Sequence, residues 1–159
     1  MCSMNRHRYL IVVALLSWLL PAAAEEPTAE DAAKIVAAVH LKKSAEFQAR
    51  GRLGPAEHEL DLAIISYPDG ATLYSARGEV RHLRKNYPAA IQDFDVYLAK
   101  VPDDSRIVFL RGIAKSLLKP EDVAGSCADI LRAKSLGFPM DNITGLDKYC
   151  LAQPGWDDN

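Results

Sequence analysis

Apolar residues recur with helical spacing twice in this chain, once in its middle and again further on. The first set is Leu73, Ala76, Val80 and Leu83. Steps of three, four and three residues place such a set on one face of an α-helix. When the sequence is shifted by 34 residues, the set falls on four further apolar residues, which are Ile107, Leu110, Ala114 and Leu117. A match at this interval predicts repeated helical units that share one continuous core.

The remainder of each unit follows the same interval. Shifting the chain also superposes three residues of the middle unit, Ala90, Phe94 and Pro102, on Ala56, Leu60 and Pro68. The pattern predicts three pairs of helices, at residues 29–50 and 55–66, 71–85 and 88–100, and 105–118 and 122–136. The two prolines end the second helices of their units. Gly78 falls on Gly112, and without side chains these positions let neighbouring helices approach closely.

The middle unit resembles the tetratricopeptide repeat. It reads Tyr74-x-x-Arg77-Gly78, then Ala90-x-x-x-Phe94, then Pro102, and the family signature is an aromatic residue followed by Leu-Gly, Ala-x-x-x-Phe and Pro. It departs at Arg77, where the family prefers Leu, and at Arg81, where it prefers Tyr. The resemblance implies an all-α fold, a right-handed α-α superhelix of about three helix pairs within residues 25–138. An all-α bundle without a superhelical groove is the alternative.

The outer units match the signature less well. The first has Ser44 where the repeat glycine belongs, and the third has two extra residues around 119–121. Terminal repeats are expected to be atypical because one face of each meets water. Residues 139–159 form the remainder, in which 141–151 are predicted to be a capping helix over the last repeat. In the tail beyond it, Trp156 either packs back on the body or forms a small docking site.

The N-terminal residues have the order of a secretory signal peptide. Arg6 and Arg8 precede an apolar run from Tyr9 to Leu20, and the small residues 22–24 follow Pro21. This order predicts that residues 1–24 are removed by cleavage after Ala24. The alternative is an anchor that is kept. We therefore expect an exported protein, in the periplasm of a bacterium, with no membrane insertion after cleavage.

The charge of the chain restricts the kinds of partner it can bind, and its cysteines indicate the compartment in which it works. The whole chain carries a net charge of −2, and the signal peptide contains two arginines and no acid, so the mature chain is more acidic. This argues against nucleic acid as a partner. Cys127 and Cys150 remain after cleavage, and in an oxidising compartment they are expected to form a disulfide. The alternative is two buried free thiols.

No motif for catalysis or metal binding is present, so we predict no catalytic residues, no metal and no cofactor. The sequence contains neither a nucleophile elbow nor a phosphate-binding glycine loop. The histidines of the mature chain lack the spacing of zinc ligands. Four aspartates are interpreted as solvated faces and helix caps, and these are Asp93, Asp95, Asp103 and Asp104.

The resemblance places a partner-binding groove on the first helix of each pair. By that likeness the groove includes Gln48, Ser75, Glu79, His82, Arg106, Phe109 and Ile113, beside Leu41, Ala45 and Ser116. We expect Phe109 to meet a partner and Ile113 to meet the C-terminal cap. Members of the family that bind heat-shock chaperones hold a terminal carboxylate with basic and Asn residues. Leu41, Ala45 and Ala76 occupy those positions here, so that activity is not implied.

The sequence thus predicts an exported protein- or peptide-binding module that acts as an adaptor or scaffold in the cell envelope. Two alternatives remain open. One is an accessory or regulatory subunit of an envelope enzyme or secretion complex, docked through the convex face or Trp156. The other is an enzyme whose site is not recognised. The identity of the partner and the oligomeric state do not follow from the sequence.

Overall fold

The computed structural model describes residues 27–120 and 123–140, together with 150 and 152. Within this part of the chain the secondary structure consists of six α-helices. They are α1 (Ala29–Ala49), α2 (Leu53–Ser66), α3 (Ala71–Leu83), α4 (Tyr87–Lys100), α5 (Ser105–Leu118) and α6 (Val123–Ser135). Each of the six predicted helices is present. The predicted signal peptide and tail lie outside the described residues, as does the capping helix except for Cys150.

The helices pack in the order in which they occur along the chain. The pairs α1–α2, α3–α4 and α5–α6 pack within themselves, and α2–α3 and α4–α5 join one pair to the next. The first helix α3 also contacts the first helix α5 directly. This arrangement is the α-α superhelix that the resemblance to the tetratricopeptide repeat implies. None of the described helices is long and apolar enough to cross a bilayer.

Helix boundaries follow from capping residues in the sequence. Thr28 and Asp31 form a capping box at α1, in which the Thr28 Oγ1 accepts from the Asp31 N–H at 3.1 Å. Asp104 caps α5 by accepting from the N–H groups of Arg106 and Ile107 at 3.0 and 3.1 Å. The predicted role of Asp104 as a cap is therefore confirmed.

The two repeat glycines lie where helices of one pair cross. A Cβ atom at Gly78 would stand 2.7 Å from the Phe94 ring, and one at Gly112 would stand 3.1 Å from Ile130 and from the carbonyl oxygen of Ser126. Phe94 is fully buried, so its ring has no room to move aside. The close approach predicted at both glycines is present.

The core runs continuously across the second and third pairs. Its largest cluster draws on α4, α5 and α6 and consists of Ala90, Phe94, Tyr97, Leu98, Ile107, Val108, Phe109 and Ala133. Smaller clusters join α1, α2 and α3 around Leu60 and Leu73. Because each cluster includes residues of two successive units, no unit buries its apolar face alone.

An arginine ladder crosses both seams between units. Arg77 donates from Nε and Nη2 to Asp93 at 3.0 and 2.7 Å, and from Nη1 to Asp61 of the preceding unit at 2.8 Å. One repeat later the same atoms of Arg111 contact Asp129 at 2.8 and 2.6 Å and Asp95 at 2.7 Å. Each guanidinium thus connects three helices, namely its own, its pair partner and the second helix of the preceding unit.

The next turn of each first helix adds a second cation to the same carboxylate. Arg81 donates to Asp93 at 2.9 Å, and Lys115 donates to Asp129 at 2.7 Å. The side chain of Asp93 is only 3% exposed, so its predicted location on a solvated face is wrong. Two cations offset the cost of burying this charge, as burial without them would be strongly unfavourable. Asp95, by contrast, is exposed as expected.

The C-terminal part of the described chain is tied to the last pair. Cys127 and Cys150 form a disulfide with their Cα atoms 5.3 Å apart, so the predicted bond is confirmed. Gly137 adopts a φ of 86° just after α6, which is the left-handed conformation that glycine favours at a helix end. Phe138 and Met140 then pack against the core of the third unit.

We predict that Gly78→Ala destabilises the protein although alanine is the better helix former. The added methyl group meets the Phe94 ring, and overpacking of this kind costs about 1–3 kcal/mol. Gly54→Ala in α2 is the matched control, because a Cβ there has no neighbour within 4 Å. Urea unfolding followed by circular dichroism should show a loss for the first variant and no loss for the second. Equal stability of the two variants would contradict the close contact.

A second prediction concerns Asp129. Burial raises the pKa of Asp129, but hydrogen bonds from Arg111 and Lys115 outweigh this effect and hold the pKa below its ordinary 3.8. Its stabilisation is therefore present above about pH 4 and is lost as the pH falls through the lowered value. Asp129→Asn should lower the free energy of unfolding by roughly 3 kcal/mol at neutral pH, and by much less at low pH.

Asp95→Asn serves as the control for Asp129→Asn, since both carboxylates contact Arg111. Asp95 is 55% exposed, and exposed ion pairs contribute less than about 1 kcal/mol. Urea titrations at several pH values check both variants. If the two substitutions lower the free energy of unfolding equally, the ladder is a surface feature and does not stabilise the contact between successive units.

Candidate binding surface on the first helices

The exposed faces of α1, α3 and α5 form one surface, called here the first-helix surface. It lies on the helices to which the sequence assigns a binding groove, although Ser75 and Phe109 of that groove are buried. Four features define it, which are an ion pair, a small cavity beside it, two exposed leucines and a region covered by the C-terminal segment. The first three lie between α3 and α5.

An ion pair connects the first helices of the second and third units. Arg106 donates from Nη1 and Nη2 to the two carboxylate oxygens of Glu79 at 2.7 and 2.8 Å. The hydrogen bonds that Arg106 donates to Glu79 hold the pKa of Arg106 above its ordinary value. Because each charge neutralises the other, this part of the surface presents polar atoms without a net charge.

A cavity of about 100 Å³ lies next to this ion pair and is lined by Glu79, His82, Leu83 and Leu110. The His82 ring contacts the edge of Tyr87 with centroids 5.5 Å apart. Its Nε2 is buried and has no hydrogen-bond partner among the described residues. Burial lowers the pKa of His82, so the ring is neutral at neutral pH. The cavity is therefore lined by two leucines and by the polar side chains of Glu79 and His82.

Two leucines project from this surface in successive units. Leu83 is 59% exposed and Leu117 is 50% exposed, and the 34-residue shift superposes one on the other. The prediction that they complete the core stripe is wrong, because they lie in the last turn of α3 and α5, beyond the crossing with the second helix. Leu73, Val80, Ile107 and Ala114 of the same stripe are buried as predicted.

The predicted groove residues of the third unit are covered by the chain itself. Phe109 is 8% exposed, and its ring stacks on Phe138 with centroids 4.4 Å apart. It is therefore not presented to a partner, contrary to expectation. Ile113 packs against the cluster of Cys127, Ile130 and Cys150, and Met140 packs against the same cluster. As expected, Ile113 faces the C-terminal segment.

Ser75 and Gln48 are occupied by local hydrogen bonds. Ser75 is buried and its hydroxyl donates to the Thr72 carbonyl at 3.1 Å, whereas Gln48 donates to the Ser44 hydroxyl at 3.3 Å. A second cavity of about 160 Å³ lies between α1 and α3. It is lined by Lys34, Ala37, Ala38, Leu41, Tyr67, Gly70, Thr72 and Leu73. Apolar and small side chains thus dominate this end as well.

The exposure of the two leucines was not predicted, and Glu79 and Arg106 were predicted as separate groove residues and not as an ion pair. The signal for the leucines was present, because an apolar residue recurs at the end of both first helices. The surface offers two small, mostly apolar cavities and hydrogen-bonding groups beside them. Among the described residues no group of three His, Cys, Asp or Glu side chains converges as a metal site would require.

Comparison with known proteins agrees with this architecture. No protein-family profile and no curated protein matches the chain. Among solved structures it is similar to the first tetratricopeptide-repeat domain of Spaghetti (RPAP3), bound to the HSP90 peptide SRMEEVD. The TM-score is 0.66 at 17% sequence identity, over 74% of this chain and 91% of that chain. At this identity the likeness establishes the fold alone. The chain has the α-α superhelical fold of tetratricopeptide-repeat domains.

Proposed function

We propose that this chain is an exported module that binds a peptide or protein segment on the first-helix surface and acts as an adaptor in the cell envelope. The observation that carries the proposal is the pair of exposed leucines in matching positions of successive units, of which Leu83 lines a cavity. Large apolar side chains exposed in register on a solenoid surface are typical of a recognition site.

The spacing of these features fits an extended segment. Neighbouring packed helices are about 8–10 Å apart, and residues i and i+3 of an extended polyproline II segment share one face about 9 Å apart. A ligand with apolar side chains three residues apart therefore reaches Leu83 and Leu117 in turn. The Glu79–Arg106 pair lies beside this path and offers hydrogen bonds to a peptide backbone.

The solved neighbour also supports binding of a peptide, although its ligand is acidic. The positions that line a carboxylate clamp in the family carry Leu41, Ala45 and Ala76 here, and His82 is neutral. We therefore expect an apolar or uncharged segment as the ligand. The fold is typically an interaction scaffold, which favours binding over catalysis.

Export is supported by two observations on the sequence and the fold. The order of residues 6–24 is that of a signal peptide. The disulfide between Cys127 and Cys150 belongs to an oxidising compartment, since cytosolic thiols are kept reduced. An adaptor in the envelope satisfies both observations.

We predict that Leu83→Asp weakens ligand binding about ten-fold or more, because burial of a leucine side chain contributes roughly 1.5–3 kcal/mol. Ligands are selected from a displayed peptide library on residues 25–159, and their affinities are measured by fluorescence anisotropy. Val96→Asp on α4 is the matched control, since Val96 is also exposed, at 41%, but lies on a second helix. Equal affinity of the Leu83→Asp variant, or loss only in the Val96→Asp variant, would contradict the proposal.

The export prediction is tested on the protein isolated from its native envelope. Mass spectrometry should find a chain that begins at Glu25, with Cys127 and Cys150 protected from alkylation until a reductant is added. Detection of Met1 in a soluble cytosolic protein in which Cys127 and Cys150 are free thiols would contradict export and leave the binding proposal intact.

A further inference from the structure

The outward face of α1 is apolar although no described element covers it. Ile35, Val36 and Val39 are 61%, 45% and 49% exposed, and Ala32 beside them is also exposed. The buried side of the same helix carries Ala37, Leu41 and Ser44, which pack on α2 and α3. The exposed apolar stripe therefore lies at the N-terminal end of the solenoid, where a preceding unit would stack.

The two ends of the solenoid differ in this respect. At the C-terminal end Val123 and Leu131 of α6 pack with Cys150, and Phe138 covers Phe109. Terminal repeats generally need a polar outer face to remain soluble. The N-terminal end departs from this rule, and three large aliphatic side chains on one face indicate an interface.

Charged residues flank the stripe in a self-complementary order. Asp31 lies one turn before Ile35, and Lys42 lies about one turn after Val39, on the same side of the helix. Both are exposed. Asp31 uses its Oδ2 for the helix cap, and Lys42 has no ion pair among the described residues. An acidic end and a basic end on either side of an apolar centre match a second copy that runs in the opposite direction.

We propose that two copies of this chain pair through α1, antiparallel across a two-fold axis near residues 36 and 37. In this arrangement Asp31 of each copy faces Lys42 of the other, and Ile35 faces Val39. The inference goes beyond the proposed function and does not depend on it.

A second copy fits better than head-to-tail stacking of units. Stacking would require the C-terminal end to receive α1, but the chain's own residues already cover that end. A two-fold interface uses the same stripe twice and closes on itself. The contact between Asp31 and Lys42 spans about 17 Å of helix, so the interface is small. Small interfaces form reversible dimers, and we expect a dissociation constant on the order of 10 µM.

The first test measures the mass of residues 25–159 in solution by sedimentation equilibrium. Protein concentrations run from roughly ten-fold below to roughly ten-fold above the expected dissociation constant. The wild-type chain should pass from one to two copies as the concentration rises. Ile35→Asp should remain a monomer at every concentration. Ile65→Asp is the control, because Ile65 is 77% exposed on α2 and outside the stripe, and it should form dimers as the wild type does.

The second test distinguishes the antiparallel two-fold from other dimers. Lys42→Glu places two pairs of acids opposite each other, and Asp31→Lys places two pairs of lysines opposite each other. Each variant alone should dimerise roughly ten-fold more weakly. An equimolar mixture should recover the wild-type affinity, because the mixed dimer has an opposite-charge pair at both sites.

A wild-type chain that stays monomeric at all concentrations would overturn the proposal, whatever occupies the stripe in its place. A dimer that survives Ile35→Asp, or a mixture that is no tighter than its components, would also overturn it. Circular dichroism confirms that each variant keeps its helices. Peptide binding by the Leu83 surface is measured separately, so failure of either proposal leaves the other testable.

Discussion

The guanidinium groups of Arg77 and Arg111 impose the step between successive helix pairs. Each holds a buried aspartate of its own pair and an aspartate of the preceding pair, with the same donor atoms at both seams. The guanidinium group is planar and its N–H donors have fixed directions, so these hydrogen bonds tolerate little change in the position of the helices. The repeat glycines bring the helices of each pair close enough for these contacts, and the core clusters fill the remaining space. Pairs that slide along each other would leave a charge buried without a partner.

Much of this architecture follows from the sequence, because close packing and helix geometry leave periodic traces. The 34-residue interval between apolar residues predicts the helix pairs, and the prolines predict the turns between them. Gly78 and Gly112 predict where the two helices of a pair cross. In the sequence the ladder appears as Arg77 and Arg81, two departures from the repeat signature, and as Arg111, on which the 34-residue shift places Arg77. Helical phase puts Asp93 on the same face as Ala90, but its cations lie on another helix and nothing in the sequence pairs them with it.

The binding surface was less predictable, since exposure depends on where a neighbouring segment ends. From the sequence Phe109 is expected to contact a partner, but in the structure Phe138 stacks on it. Phe138 follows the last helix, where no periodic pattern predicts its position. Leu83 and Leu117 continue the apolar stripe of the core, but they lie in the last turn of α3 and α5 and are exposed. In both cases the spacing of residues along the helix predicts the direction of the side chain. It does not predict which other segment, if any, covers that side chain.

The ends of the solenoid decide what the chain can associate with. One end is covered by residues that a disulfide ties to α6, and the other carries an apolar stripe flanked by opposite charges. Between them the first-helix surface has exposed leucines, neutral polar groups and cavities that suit an uncharged segment. A module with a covered C-terminal end, an exposed apolar stripe at its N-terminal end and an uncovered first-helix surface is suited to holding other molecules in a fixed arrangement.

Native-state hydrogen exchange tests the central claim, that glycine crossings and the arginine ladder hold the helix pairs as one stacked unit. If they do, amides of α3, α4, α5 and α6 next to Gly78, Phe94, Gly112 and Ile130 exchange only through global unfolding, with a common free energy. If α3–α4 and α5–α6 open separately, each with its own low free energy, the pairs do not stack as described and the account is contradicted.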